Sequence, residues 1–482
     1  VGIHRAAAAL AGLLLLSGCE PNLVWFGHSV DRRHVVAVLD SGGAQRVRFD
    51  GRDGPPVLGV GVEGLVISAD GQHLAYPARS AGGWTVIRDG REGPLWEGIG
   101  AVLFDPSGDH LLYAAERASR WRVVRDGVPG PAFDSILEGS ILSGGAGRYG
   151  YVGQQDGHDH AVVDGAVGPA WDGIGSLSFS ADGARVGYVA RRGEEAFAVV
   201  DGSASAPYEG VAEVSLSPKR GRVAVVARRG GKWRAVVDGT EGAAFDRLSL
   251  LRWSPDGGRY AYAARRGRAE LLVLDGVESD PFEAVMPSSP VFDATGRRFA
   301  FAARREGAWH VVADGREGAA FEEVQPPVFS DGGEVMGHLA RRGFSHVAVI
   351  GGREGPGWEW AGDLVLGPGG RRFAYLAKLG DRSFVVDDRG ETAFDLVISG
   401  TLAFSRDGRR WGAVAGDADR RRLFIAVEGG ARHAIDGEEL VAATMRLPPE
   451  DRLAHRPDEE ILRRWVAAEL EIGGERPRPR HP

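Results

Sequence analysis

The sequence predicts an all-β chain, a β-propeller of about eleven four-stranded repeats of 37 residues followed by a short C-terminal helix. Three observations predict it. A Ser-x-Asp-Gly turn, degenerate in places, starts at Ser68, Asp105, Ser143, Ser180, Ser217, Ser254, Asp293, Ser330, Gly367 and Ser405, with a weak copy at Ser29, so a period near 37 runs through the body of the chain. A second anchor, usually Asp-Gly, tracks it at Asp50, Asp89, Asp126, Asp164, Asp201, Asp238, Asp275 and Asp314, and weakens to Gly351, Asp387 and Glu428. Gly 73 and Pro 25 make up about a fifth of the 482 residues, which argues against a mainly helical protein.

The charge balance, 58 Lys+Arg against 66 Asp+Glu, gives a net of -8 and excludes nucleic-acid binding by bulk charge. One cysteine excludes an intrachain disulfide.

The chain opens with a short cationic start (His4, Arg5), an apolar run over residues 6–16 and small residues after it, the three parts of an export signal. Val1 in first place is read as the product of an alternative start codon. The run is too short to span a bilayer, and no later stretch approaches the ~20 apolar residues of a spanning helix. Leu16-Ser17-Gly18-Cys19 resembles the lipobox of bacterial lipoproteins, and the chain's only cysteine sits where that pattern requires it. The resemblance implies that residues 1–18 are removed, that Cys19 is diacylated and N-acylated, and that Glu20 directs the product to the outer membrane where there is one. Several acyl chains anchor stably where a single one does not. Residues 19–28 then form an anchored start that merges into the first strand, and the repeats, residues 29–445, are expected outside the cytoplasm.

Residues 248–285 serve as the specimen repeat. An apolar run leads to Ser254-Pro255-Asp256-Gly257, in which Pro presets φ, Asp can bond its own backbone and Gly accepts φ > 0. Residues 259–263 read as a strand, Arg265-Arg266-Gly267 as a hairpin tip, residues 271–274 as a third strand closed by Asp275-Gly276, and Phe282-Glu283-Ala284-Val285 as a short fourth strand. Four short antiparallel strands joined by tight turns make one propeller blade. Seven residues past the second anchor stands an aromatic, at Trp96, Phe133, Trp171, Tyr208, Phe245, Phe282, Phe321, Trp358 and Phe394. Each is followed by an acid, and since strand neighbours face opposite ways the aromatic is expected inside and the acid outside. Val57 and Ile435 replace the aromatic in the terminal repeats. A second aromatic row runs along the second strands at Tyr76, Tyr113, Tyr151, Tyr188, Tyr262, Phe301 and Tyr375, with Val225 and His338 in register. Both rows are expected in the core, His338 as a hydrogen-bonded core histidine.

The Ser-Pro-Asp-Gly turn followed by Arg-x-Ala-Tyr-x-Ala-Arg-Arg and an Asp-Gly-closed strand, over residues 254–276 and more loosely 180–202 and 217–239, resembles the TolB-like, WD-repeat-like β-propellers of bacterial envelopes. The resemblance covers residues 23–442 and implies a fold more than an activity. The chain departs from that family in its tighter period, its lipobox and the lack of an α/β domain before the repeats, so a Tol-Pal role is not implied. Propellers close with about 4 to 8 blades, so eleven repeats imply either two rings or one unusually large ring. For two rings, residues 286–290, where the spacing rises to 39, are the expected junction.

Five consecutive repeats end the second strand in paired arginines, Arg191-Arg192, Arg228-Arg229, Arg265-Arg266, Arg304-Arg305 and Arg341-Arg342. Propeller geometry puts these tips on one face and the Ser-x-Asp-Gly and Asp-Gly-x-Glu-Gly turns on the other, so one face is expected to be basic and the other acidic. Arginine forks suit carboxylate and phosphate, which marks these ten residues as a binding site for an anionic envelope polymer or an acidic protein. The bland alternative pairs them with the acid after each aromatic.

No cofactor, metal or catalytic residue is indicated. Gly59-Val60-Gly61-Val62-Glu63-Gly64 matches G-x-G-x-x-G but runs into a strand instead of a helix. Asp156-Gly157-His158-Asp159-His160 and Asp417-Ala418-Asp419 fall at hairpin tips and are weak ligand sets. Neither H-E-x-x-H nor G-x-S-x-G occurs.

Residues 446–474 are expected to form a C-terminal helical segment, with Pro457-Asp458-Glu459-Glu460 as its first turn and an apolar stripe of Ile461, Leu462, Trp465, Val466 and Leu470. The stripe is expected to dock on the propeller, or else in a partner's groove. Residues 475–482 alternate Arg and Pro and form a disordered tail. The function expected is a lipid-anchored, extracytoplasmic, non-catalytic binding or scaffolding propeller whose partners are the bilayer, through Cys19, and an envelope protein or anionic polymer. The alternative is a propeller enzyme of hydrolase or lyase type with its site at the central channel.

Overall fold

A computed structural model describes residues 22–28, 34–405, 407–417 and 422–434. Cys19, the signal segment, the weak anchor at Ser29, Ile435, Ala418-Asp419, the C-terminal helix and the Arg/Pro tail lie outside them.

Eleven antiparallel sheets follow one another along the described residues, one for each repeat, and the fold is a multi-blade β-propeller. Numbered in chain order, sheets 1 to 11 have as second strands Val35–Ser41, Leu74–Ser80, Leu111–Arg117, Tyr149–Gln155, Val186–Arg192, Val223–Arg229, Tyr260–Arg266, Phe299–Arg305, Met336–Arg342, Phe373–Leu379 and Trp411–Asp417. The chain divides into two compact units, Val1–Gly193 and Glu194–Pro482. Sheets 1 to 4 lie in the first unit and sheets 6 to 11 in the second, while the strands Gly173–Phe179 and Val186–Arg192 of sheet 5 fall before the division and Glu195–Val200 and Ser203–Ala204 after it.

Alternation along each second strand buries both faces of a sheet. In sheet 7, Tyr262 and Ala264 pack with Ala224, Val226 and Phe245 of sheet 6, while Ala261 and Ala263 pack with Phe299 and Phe301 of sheet 8. The two aromatic rows meet at these interfaces edge to face: Phe133 with Tyr151 at 6.2 Å, Phe245 with Tyr262 at 6.3 Å and Phe282 with Phe301 at 5.7 Å. All the anchor aromatics are buried except the half-buried Tyr208, and the acid after each is exposed.

The specimen repeat is cut differently from expectation. Phe282 exchanges two backbone hydrogen bonds with Glu270 and so completes sheet 7 beyond its short outer strand Val277–Glu278. Ala284–Val285 instead pairs with Phe299–Arg305 and opens sheet 8. The aromatic ends one sheet, and the acid after it begins the next.

The Asp-Gly anchor is a two-residue hairpin turn. Asp50, Asp89, Asp126, Asp164, Asp201, Asp238, Asp275 and Asp314 all have φ between 47° and 52°, with a left-handed glycine after each. Two successive positive φ angles match the right-handed twist of the flanking strands, which is why Asp-Gly recurs there. Each carboxylate whose bonds are resolved also staples the start of its second strand. Asp275 accepts from the Tyr260 N–H at 2.9 Å and from Arg259 Nε at 2.8 Å, and Asp238, Asp314 and Asp164 do the same for Arg222, Arg298 and Arg148. Where the anchor becomes Gly351, the residue sixteen before it is the uncharged Val335.

Three sequence expectations shift. Gly144, whose N–H donates to the Arg148 carbonyl, occupies the first anchor in sheet 4, and Ser143 ends a strand before it, because that turn is one residue shorter. Asp388, bonded to Arg372 Nε at 2.9 Å, is the second anchor in sheet 10, while Asp387 ends the third strand and accepts from Trp411 Nε1 at 2.7 Å. Residues 286–290 are no junction. They bulge between Ala284–Val285 and Val291–Phe292, two pieces of one first strand, with the buried Ser289 accepting the Ala302 N–H at 2.8 Å.

Candidate functional site

The paired arginines lie at the hairpin tips between second and third strands, and their partners come from fixed positions in the repeat. In the second unit the second arginine of each pair lies over the aromatic that ended the preceding sheet. Arg229 covers Tyr208 at 4.7 Å, Arg266 covers Phe245 at 4.8 Å, Arg305 covers Phe282 at 4.5 Å and Arg342 covers Phe321 at 4.8 Å. Its guanidinium then meets a glutamate twelve residues on: Arg266 bonds Glu278 through two nitrogens at 2.7 and 2.9 Å, Arg342 bonds Glu354 at 2.9 and 3.0 Å, and Arg305 and Arg229 bond Glu317 and Glu241. In the first unit Arg192 covers Trp171 at 4.5 Å.

The first arginines face the acids after the aromatics. Arg341 Nη1 bonds Glu322 at 2.7 Å and its Nη2 bonds Glu323 at 2.6 Å, while Arg228 and Arg304 stand 3.8 and 3.6 Å from Glu209 and Glu283. Arg265 donates to the Gly267 carbonyl at 3.0 Å, and Arg191 is exposed opposite Gly173 in the ladder. The acids also cap the tips: the N–H groups of Gly230 and Gly231 donate to Glu209, that of Gly267 to Asp246 and that of Gly343 to Glu322. These tip amides hold the Glu209 carboxyl below its usual range, and Lys232 with the Gly267 N–H does the same for Asp246.

The expected separation of basic and acidic edges therefore fails for these sheets. The glutamates of Asp-Gly-x-Glu-Gly are the partners of the tip arginines, because a guanidinium on a long stem lying along the aromatic reaches the outer strand. The arginine heads remain half-exposed even so, Arg266 at 50% and Arg342 at 53%. Sequence reasoning missed the glutamate twelve residues on, although its signal, Asp-Gly-x-Glu two residues after a recognised turn, was present.

Other singled-out residues are structural. His338 is buried against Phe321, ring centroids 5.9 Å apart, with no hydrogen bond to either ring nitrogen, contrary to expectation, and burial pushes its pKa down to about 4. In the 156–160 cluster, His158 faces Asp172, Asp159 accepts the Ile174 N–H and His160 Nδ1 lies 3.0 Å from the Gly168 carbonyl, so its side chains turn to separate partners. On the first strands, Glu213 accepts the Leu251 N–H of the next sheet at 3.1 Å, and burial raises its pKa. Asp363 likewise binds the Gly400 N–H and the Ser399 hydroxyl of the next sheet.

Among the described residues no group of three or more metal-ligating side chains converges, and no helix is long and apolar enough to cross a membrane. No family model matches the chain, and no curated protein matches it. Similar solved structures include a eukaryotic initiation factor, 13% identical over 75% of this chain and 94% of that one with a TM-score of 0.37. TolB from Acinetobacter baumannii is 14% identical over 54% of this chain and 81% of that one, at 0.26. The dihydro-heme d1 dehydrogenase NirN is 13% identical over 77% and 73%, at 0.28. Likeness at these scores carries no functional weight, and the propeller rests on the eleven sheets themselves.

Proposed function

We propose that this chain is a lipid-anchored, extracytoplasmic β-propeller of the TolB-like, WD-repeat-like kind, tethered through acylated Cys19, that binds an envelope protein without catalysis through the hairpin tips of sheets 6 to 9. The observation that carries the reading is the four successive Arg-Arg tips. Each second arginine is held by an aromatic face and a carboxylate, yet keeps about half of its side chain or somewhat less in solvent. Such heads lose little freedom on binding, which is where preorganised surfaces gain affinity. Of the two ligand classes expected, a protein of mixed charge fits better than an anionic polymer, since Glu241, Glu278, Glu317 and Glu354 already offset the arginine charge.

The test is crosslinking in intact cells with the mature protein, a Cys19→Ala version, and a version with Arg228, Arg229, Arg265 and Arg266 changed to Glu. A partner recovered with the first and lost with both others is expected, together with an acylated Cys19 in the mass of the N-terminal peptide. Recovery of the same partner by the charge-reversed protein would sink the assignment of the tips.

A further inference from the structure

The tip edge changes character in the last three sheets. The residue that opens the first strand is Gly210, Arg247 and Ala284 in sheets 6, 7 and 8, but Trp360 in sheet 10 and Leu396 in sheet 11. The second tip arginine becomes Leu379 in sheet 10, and the tip of sheet 9 carries Phe344, which is 100% exposed. A wholly exposed phenylalanine in sheet 9, followed by exposed Leu379 in sheet 10 and Leu396 in sheet 11, is apolar surface without a described cover.

Contacts link these residues across the sheets. Next to Phe344, Ser345 packs against Gly357, and His346 Nδ1 lies 2.9 Å from the Glu359 carbonyl. The Glu359 carboxylate accepts the Gly380 N–H at 2.9 Å, beside Leu379. Trp360 folds its indole back over Gly362, where a Cβ would overlap the ring. Between Trp360 and Val397 opens a cavity of about 100 Å³, lined also by Leu376, Lys378 and Ser399. Lys378, over Trp360 at 5.7 Å, and Arg382 are exposed and make no ion pair among the described residues, unlike the second tip arginines of sheets 6 to 9.

From this surface we infer that the amphipathic segment 457–472 of the same chain docks on it, seating Ile461, Leu462, Trp465, Val466 and Leu470 over Phe344, Trp360, Leu379 and Leu396. The chain leaves the described residues at Ala431–Ala434, the outer strand of sheet 11, the same sheet whose first strand carries Leu396. The 27 residues from 434 to 461 reach tens of ångströms at about 3.3 to 3.6 Å each, far beyond one sheet-to-sheet spacing of about 10 Å. Charge agrees as well as reach. The segment carries Asp458, Glu459, Glu460, Glu469 and Glu471 against Arg463 and Arg464, and Lys378 and Arg382 are the cations that the patch leaves unmatched. A segment of this length is marginal as an isolated helix and needs such a seat.

The test uses the full chain with a photocrosslinking benzoyl-phenylalanine in place of Phe344. A crosslink within one chain to the peptide 457–472 is expected, with hydrogen exchange of that peptide accelerated at least tenfold by Phe344→Ser or by Trp465→Ser while strand Phe373–Leu379 keeps its protection. Because the side chain at 344 is wholly exposed, Phe344→Ser leaves the fold intact. Crosslinks between two chains, to lipid in anionic vesicles or to another protein only, or exchange of 457–472 unchanged in both variants, would overturn the inference.

Discussion

Arg222 and Asp238, sixteen residues apart in the chain, stand 2.8 Å apart in the structure, and the same arginine extends Nη1 to the Gly258 carbonyl of the next sheet at 2.6 Å. One residue thus closes its own hairpin and ties it to its neighbour. Its guanidinium also lies 5.1 Å from the centre of Trp253 in that next sheet. Arg148, Arg259, Arg298 and Arg372 repeat the arrangement.

Sheets 1 to 3 show what happens without the arginine. His34, His73 and His110 hold Asp50, Asp89 and Asp126 at 2.6 to 2.8 Å, and the rings of His34 and His110 lie against Gly71 and Gly147 of the next sheet while that of His73 lies 6.2 Å from Phe104. In sheet 2, Arg88 at the end of the third strand donates to the Asp109 carbonyl of the next sheet at 3.0 Å while lying over Phe104. Arg222→Ala is therefore expected to cost about 1 to 2 kcal/mol, the value of charged hydrogen bonds discounted for partial exposure. Arg222→His, keeping the bond to Asp238 and losing the one to the Gly258 carbonyl, should cost roughly half of that. Urea unfolding followed by tryptophan emission checks the order.

Asp275 combines a left-handed backbone with two accepted hydrogen bonds, so its substitutions separate the two roles. Asp275→Asn keeps a residue that tolerates φ > 0 and one acceptor oxygen, and should lose about 1 kcal/mol. Asp275→Ala loses both bonds and places a Cβ in a conformation that costs about 1 to 2 kcal/mol by itself, and should fall well below Asn. An Asn variant no more stable than the Ala variant would refute the staple.

Much of this was legible because a repeat reports each role eleven times. Asp-Gly at 37-residue intervals reveals a turn, and aromatics in fixed register reveal the core. What stayed hidden were partners and offsets. Ser143 reads as an anchor, yet Gly144 holds the place, since one deleted residue is invisible in a period that already varies between 37 and 39. Glu278 was read as part of a turn on the far edge because spacing does not tell how far an arginine lies along its sheet. Leu379 could have been noticed as a break in the arginine pattern, but only the exposure of Phe344 gives the break a meaning.

His338 should make stability depend on acid. Burial lowers its folded pKa to about 4, with Glu354 opposing, against about 6.5 in the unfolded chain. Between those values the unfolded state binds more protons, so stability is full above pH 6.5 and declines as pH falls toward 4. The shift corresponds to about 3 kcal/mol by the lower end of that window. His338→Phe, which reproduces Phe301 in sheet 8, should be the more stable protein at pH 7 by about 1 kcal/mol, as two unpartnered ring nitrogens are removed. The gap between the two proteins should widen as pH drops from 6.5 to 4.5. Parallel pH profiles from urea titrations would show an imidazole that finds a partner or solvent.

The last comparison sets Phe245 against the arginine that covers it. Phe245 is fully buried and meets Tyr262 edge to face, so Phe245→Ala removes a filled interface between two sheets and should cost about 3 to 5 kcal/mol. Arg266 lies over the same ring, but half of its side chain is in solvent and its bond to Glu278 is a surface ion pair. Arg266→Ala should cost less than about 1 kcal/mol. If urea unfolding gives that ratio, the tip arginines of sheets 6 to 9 are nearly dispensable for folding, and their recurrence in four successive sheets needs a reason outside the fold, which docking at the tips supplies. If Arg266→Ala costs as much as Phe245→Ala, the arginines are structural covers for the aromatic row and the tips lose their claim as a binding surface.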